Sequence, residues 1–200
     1  MKKTLLFIAA LFAFTSVFSQ TYTSTTIVSG LSNPVAFDVA SDGRFFITQK
    51  GGVSGMATNA FIKVYSSTGT FLSNFYNLTD SCNSDFERGL LGIELDPDFD
   101  NNHYVYAYYN HNFNGDERIR VVRFTEASNV GTNPTLIFNL DVSNSIAGNH
   151  VGGNLHFRPS EPNQIYLTIG DLAYQQGNAT LNYANKITNS HVDVINFRGR

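Results

Sequence analysis

Short runs of alternating apolar and polar residues, punctuated by clusters of Gly, Asn, Asp, Ser and Pro, fill the chain after residue 19, and helical periodicity is nearly absent. That pattern predicts an all-β protein with many turns. One unit recurs. Pro34 to Ala40, the turn Ser41-Asp42-Gly43 and Phe45 to Thr48 read as strand, turn, strand; Gly89 to Leu95, the polar stretch Asp96 to Asn102 and Tyr104 to Tyr109 repeat it; Gly153 to Asp171, with a polar turn at Pro159 to Asn163, is a third copy. Aligning the second strands on Phe46-Ile47-Thr48, Val105-Tyr106-Ala107 and Tyr166-Leu167-Thr168 gives separations of 59 and 61 residues. Further strands are predicted at Phe61 to Ser66, Phe71 to Asn77, Arg118 to Thr125 and Leu136 to Leu140.

A near-constant period of this length with about four strands per unit predicts a radial repeat, a β-propeller. Propellers close with roughly four to eight blades, and 200 residues hold only about three periods. Residues 20–200 are therefore expected to be the incomplete N-terminal part of a propeller, since an open arc leaves strand edges and sheet faces bare. A dimer of half-rings is the rival arrangement.

Composition adds an address. Met1-Lys2-Lys3, an apolar run from Leu5 to Phe18 broken only by Thr15 and Ser16, and Ser19 before Gln20 read as a secretory signal over 1–19. The expectation is export to the periplasm or the cell exterior, with no membrane span after cleavage. A net charge of −3 with 14% charged residues leaves no basic stripe for a phosphate backbone, which argues against nucleic acid as a partner. The single cysteine, Cys82, cannot form an internal disulfide and is expected to be a small buried or loop thiol.

Candidate chemistry gathers on Gly148 to Asp171. A hairpin brings its two ends to one rim, so His150 and Asp171 are expected to meet there although twenty-one positions separate them. Imidazole suits a general base near neutrality; the plainer reading of His150 is a loop residue bonded to a neighbouring carbonyl. Asp171 either holds the imidazole in one tautomer or caps a turn. Glu87 enters the second unit as Asn149-His150 precedes the third, which places it on the same rim. His156 reads as a strand-face residue, because His150 and His156 have no third metal ligand at a recognisable spacing. His103 and His111, flanking a strand, and His191, in a polar tail, are expected to be solvated. Asp96, Asp98 and Asp100 alternate as in a calcium loop but lack its glycine and distal glutamate, so a turn rich in side-chain to backbone bonds is expected.

Three motifs in order, Gly30-Leu31-Ser32-Asn33-Pro34-Val35-Ala36-Phe37 with Asp42-Gly43-Arg44, Glu87-Arg88-Gly89-Leu90-Leu91-Gly92-Ile93 with Asp96-Pro97-Asp98-Phe99, and Asn149-His150-Val151-Gly152-Gly153 with Tyr166-Leu167-Thr168-Ile169-Gly170-Asp171, resemble the glucose/sorbosone dehydrogenase family. The resemblance implies a six-bladed β-propeller of which this chain covers about the first three blades. It implies a soluble quinoprotein that oxidises an aldose sugar with pyrroloquinoline quinone (PQQ) and calcium. His150 then matches the catalytic base, which takes a sugar hydroxyl proton while hydride passes to the quinone, and Asp171 matches the carboxylate that orients it. Glu87 falls where sugar-oxidising members often carry a pocket-lining Gln, and Gln176 falls near another substrate-lining glutamine. Glu at position 87 is common in the hedgehog-interacting-like branch, which keeps a non-catalytic glycan- or protein-binding propeller as the alternative. The residues holding quinone and calcium are expected beyond Arg200, so the 200-residue chain alone is expected to be inactive. A propeller lactonase would need a calcium-binding carboxylate and Asn cluster that the sequence does not show.

Overall fold

The structure, a computed structural model, describes residues 21–52, 58–142, 148–170, 172 and 191–196. The expected signal at 1–19, Asp171 and Gln176 lie outside them. Strands β1 (Pro34–Val39), β2 (Phe45–Gln49), β3 (Phe61–Tyr65) and β4 (Phe71–Asn77) form one antiparallel sheet in chain order. A second sheet runs β5 (Leu90–Leu95), β6 (Tyr104–Phe113), β7 (Asp116–Ala127), β8 (Val130–Asp141), with a one-turn helix α1 (Phe99–Asn102) between its first two strands. The third comprises β9 (Leu155–Arg158), β10 (Glu161–Ile169) and β11 (His191–Asn196). First strands lie side by side, β1 against β5 and β5 against β9, while β4 packs near β8. The sheets thus succeed one another as propeller blades, about three of them.

The middle sheet is apolar on both faces, and strict alternation along β6 shows why. Val105, Ala107 and Tyr109 pack toward the first sheet with Phe46, Ile62, Val64 and Phe75. Tyr106 and Tyr108 point the other way, toward Leu155, Phe157, Ile165 and Leu167 of the third. The outer face of the first sheet has no such cover among the described residues: Phe37, Phe45, Ile27 and Leu31 line a shallow apolar groove of about 300 Å³.

Pairing corrects the repeat alignment. Asp38 pairs with Phe46, Glu94 with Tyr106 and His156 with Tyr166. Phe46, Tyr106 and Tyr166 are therefore equivalent, each sixty positions from the next, whereas aligning Val105 with Phe46 sets the middle unit one residue out of step. Because side chains alternate, that one-residue slip exchanges the two faces of the blade.

Other expectations also change. β6 and β7 run past the polar residues Asn110-His111-Asn112, because a tight turn at Asn114-Gly115, both with positive φ (54° and 83°), keeps the ladder going to Phe113↔Asp116. His111 is consequently buried rather than solvated, and burial, followed by the charge of Arg120, lowers its pKa. His191 stands in β11, paired with Ile169, rather than in a tail. The third hairpin turns at 159–160, earlier than expected, with the ladder shifting between Glu161 and Ile165 where Pro162 intervenes. The Asp96 to Asp100 stretch is a turn held by Asp98 N–H donating to Asp96 Oδ1 (2.9 Å) and Phe99 N–H donating to Asp96 O (2.9 Å), leading into α1.

Candidate active site

The rim that carries His150 is built from the segments entering β5 and β9. His150 is exposed and adopts a left-handed backbone (φ 55°), a conformation costing a residue with a side chain about 1–2 kcal/mol. Both of its main-chain groups are bonded. Its N–H donates to Glu87 Oε2 at 2.5 Å, and its carbonyl accepts from Leu172 N–H at 3.1 Å. Each bond is worth about 0.5–1.5 kcal/mol net, so the pair offsets the backbone strain. The two ends of the 148–172 segment therefore meet at one place, and Gly170 permits it: a Cβ there would stand 1.8 Å from His150 O.

The neighbouring loop is fixed in turn. Glu87 N–H donates to Gly148 O at 3.1 Å, giving Glu87 one main-chain and one side-chain bond to the His150 loop. Lys50, just past β2, donates from Nζ to Ser84 O (2.9 Å) and Phe86 O (2.8 Å) and accepts Leu90 N–H on its own carbonyl (3.0 Å). Burial lowers the Lys50 pKa, against the opposing pull of Cys82, Asp85 and Glu87. Asn110 closes the base of the loop, its Oδ1 accepting from Gly89 N–H and its own N–H donating to Gly89 O. Behind His150, the buried Tyr108 hydroxyl donates to Val151 O at 2.5 Å. Arg88 faces Glu117, Nε to Oε2 at 3.7 Å, and Glu117 Oε1 accepts from the amides of Asn83 and Asn112.

His150 and Glu87 are thus brought together, but through the histidine backbone and the glutamate carboxylate. Asp171 and Gln176 fall outside the described residues. His156 is placed elsewhere, its Nδ1 3.1 Å from Glu94 Oε1, which also accepts Phe157 N–H at 3.2 Å. Among the described residues no group of three His, Cys, Asp or Glu side chains could hold a metal ion. Lys50, Asn110 and Tyr108 are the participants that sequence reading missed. The first two contact backbone atoms more than twenty positions away, and Tyr108 reads from the sequence as one more core aromatic.

Cys82 is fully buried, which pushes its thiol up to about 12 and makes it a poor nucleophile. No helix of the described residues is long and apolar enough to cross a membrane.

Comparison with known proteins agrees with this architecture. The family model for Glucose / Sorbosone dehydrogenase matches residues 31–192. Of solved structures, a Thermus thermophilus protein described as an oxidoreductase (glucose dehydrogenase) is 28% identical over 72% of this chain and 39% of its own, with a TM-score of 0.58. The apo-form of the soluble aldose sugar dehydrogenase of Escherichia coli is similar in fold at 18% identity, covering 74% of this chain and 41% of that one, TM-score 0.61. The PQQ-bound aldose sugar dehydrogenase of Streptomyces coelicolor is likewise similar in fold at 24% identity, 75% and 41% coverage and TM-score 0.52. The chain spans about two fifths of the length of these proteins. The family match begins just before β1, ends in β11 and takes in the loops of Glu87 and His150, and the chain belongs to the glucose/sorbosone dehydrogenase family.

Proposed function

We propose that this chain is the N-terminal portion of an exported, PQQ-dependent dehydrogenase that oxidises an aldose sugar, with His150 as the general base and Asp171 orienting it. The observation that carries the reading is the placement of His150, exposed at the blade rim with its main chain bonded on both sides. A fixed backbone leaves the imidazole only its own two torsions, the preorganisation that proton abstraction from a bound hydroxyl needs.

Bound quinone supplies the hydride acceptor in such an enzyme. The described residues do not form its cradle. Of the cations at the rim, Lys50 donates to two main-chain carbonyls and Arg88 faces Glu117, so neither is assigned to a quinone carboxylate. The part played by this segment is the proton: His150 accepts it and its loop holds the ring in place.

The test uses the full-length protein reconstituted with PQQ and calcium, following dye reduction with a panel of aldoses. Aldose-dependent reduction that falls by about 10²- to 10⁴-fold in His150→Ala is the expected result. Unchanged turnover in that variant removes His150 as the base. Aldose binding without turnover in the wild type favours the glycan-binding alternative.

A further inference from the structure

Glu87 occupies a position where a pocket-lining role is expected, yet one oxygen of its carboxylate is bonded to the backbone of the neighbouring loop. Oε2 accepts the His150 N–H at 2.5 Å, and the Glu87 N–H donates to Gly148 O, so one residue grips the His150 loop at two points two residues apart. The grip is anchored from behind. Lys50 Nζ holds the carbonyls of Ser84 and Phe86, the second immediately before Glu87, and Lys50 O takes Leu90 N–H just after it. A chain of directional bonds therefore runs from the end of β2 in the first blade, through the loop entering β5, to the main chain of His150 in the third. Loss of the Oε2 acceptor would leave unpaired the amide of a residue held in the left-handed region.

From this geometry we infer that Glu87 is a positioning residue for His150, acting through its backbone, and not a sugar-binding residue. The inference rests on His150 being the base of the proposed dehydrogenase. What the position requires is an acceptor oxygen at the reach of a glutamate; the negative charge is dispensable. Glutamine supplies that oxygen and alanine does not.

Full-length protein carrying Glu87→Ala or Glu87→Gln separates the possibilities, assayed with PQQ, calcium and the best aldose and also by hydrogen exchange of the peptide containing His150. Glu87→Ala is expected to lower kcat roughly ten- to a hundredfold with KM little changed, and Glu87→Gln to recover most of the loss. Both variants lack the charge, so a difference between them reports geometry. Amide exchange at His150 is expected to accelerate in Glu87→Ala and to stay protected in Glu87→Gln, whatever the protein catalyses. A raised KM at unchanged kcat would make Glu87 a sugar contact and overturn the inference. Equal loss in both variants would assign the effect to charge and overturn it as well. If no aldose is oxidised at all, the dehydrogenase reading fails while the exchange arm still decides whether Glu87 holds the loop; unaltered protection in Glu87→Ala shows that it does not.

Discussion

Replacing Tyr108 by Phe removes one oxygen from the interior and nothing else. Tyr108 is fully buried on the β6 face that meets the third sheet, and its hydroxyl donates to the carbonyl of Val151, itself 3% exposed. Burial raises the phenol's pKa, so the group remains a donor at any working pH. Because ring and packing volume are kept, no cavity forms, and the cost is that of an acceptor stranded in the interior. A carbonyl left buried without its donor costs about 1–3 kcal/mol, more than the roughly 0.5–1.5 kcal/mol that an average hydrogen bond contributes net. We expect a destabilisation of about 2 kcal/mol, against about 3–5 kcal/mol for Tyr108→Ala, which also empties the ring's site. Thermal and denaturant unfolding of the full-length protein, wild type beside both variants, measures the difference. A Tyr108→Phe variant within about 0.5 kcal/mol of wild type, the range of an ordinary surface change, would refute the reasoning. It would show that Val151 finds another donor and that the Tyr108 hydroxyl adds nothing to the polar ties between second and third blades.

Two further outcomes follow from the same inter-blade seam. The Glu94 carboxyl has its pKa raised, first by burial and also by Asp38, while Phe157 N–H and His156 pull it the other way; a raised carboxyl pKa contributes stability fully present below the unfolded value and lost as pH rises through the folded one. Glu94→Gln keeps the acceptor for Phe157 N–H and removes the titration, so the unfolding midpoint of wild type relative to Glu94→Gln should decline from acid toward neutral pH, and a pH-independent difference would contradict this. Gly92→Ala would bring a Cβ within 2.1 Å of Gly153 O, a backbone atom of the next blade, so melting should show a loss of about 1–3 kcal/mol or more; a neutral variant would mean that the seam opens freely.

Where local pattern decides the structure, the sequence is readable. Ten of the eleven strands among the described residues fall on apolar alternation and turn residues, and β4 (Phe71–Asn77) has the limits that the sequence pattern predicts. The repeat was legible to within one residue, and the slip had a physical source. Val105 and Tyr106 are both buried and both apolar in outline, so in a blade covered on two faces neither burial nor hydropathy says which faces which neighbour. Pairing decides it, because only Tyr106 stands opposite Glu94. The burial of His111 is hidden for a related reason, since a polar stretch reads as a loop until the turn at Asn114-Gly115 carries the ladder through it. The His150 loop announced itself through its glycines, whereas the partners that fix it, Lys50 and Tyr108, bond to main-chain atoms that no side-chain pattern encodes.

Sequence-equivalent positions explain how the blades keep their mutual register. Apolar faces attract without direction, and two twisted sheets held by them alone can slide. Asp38 in β1 accepts Leu95 N–H of β5 at 2.7 Å, and Glu94 in β5 accepts Phe157 N–H of β9 at 3.2 Å. Asp38 and Glu94 are equivalent in the repeat, so the same device, a carboxylate from one first strand on an amide of the next, recurs at both seams. His156 takes that position in the third blade and instead turns its imidazole back to Glu94. The two staples lie within the strands and set where each blade sits; the Glu87 to His150 bond lies in the loops above and sets one functional backbone. The loop contact can hold His150 only if the strands beneath it do not slip, so the position of the proposed base depends on Asp38 and Glu94 although neither touches it.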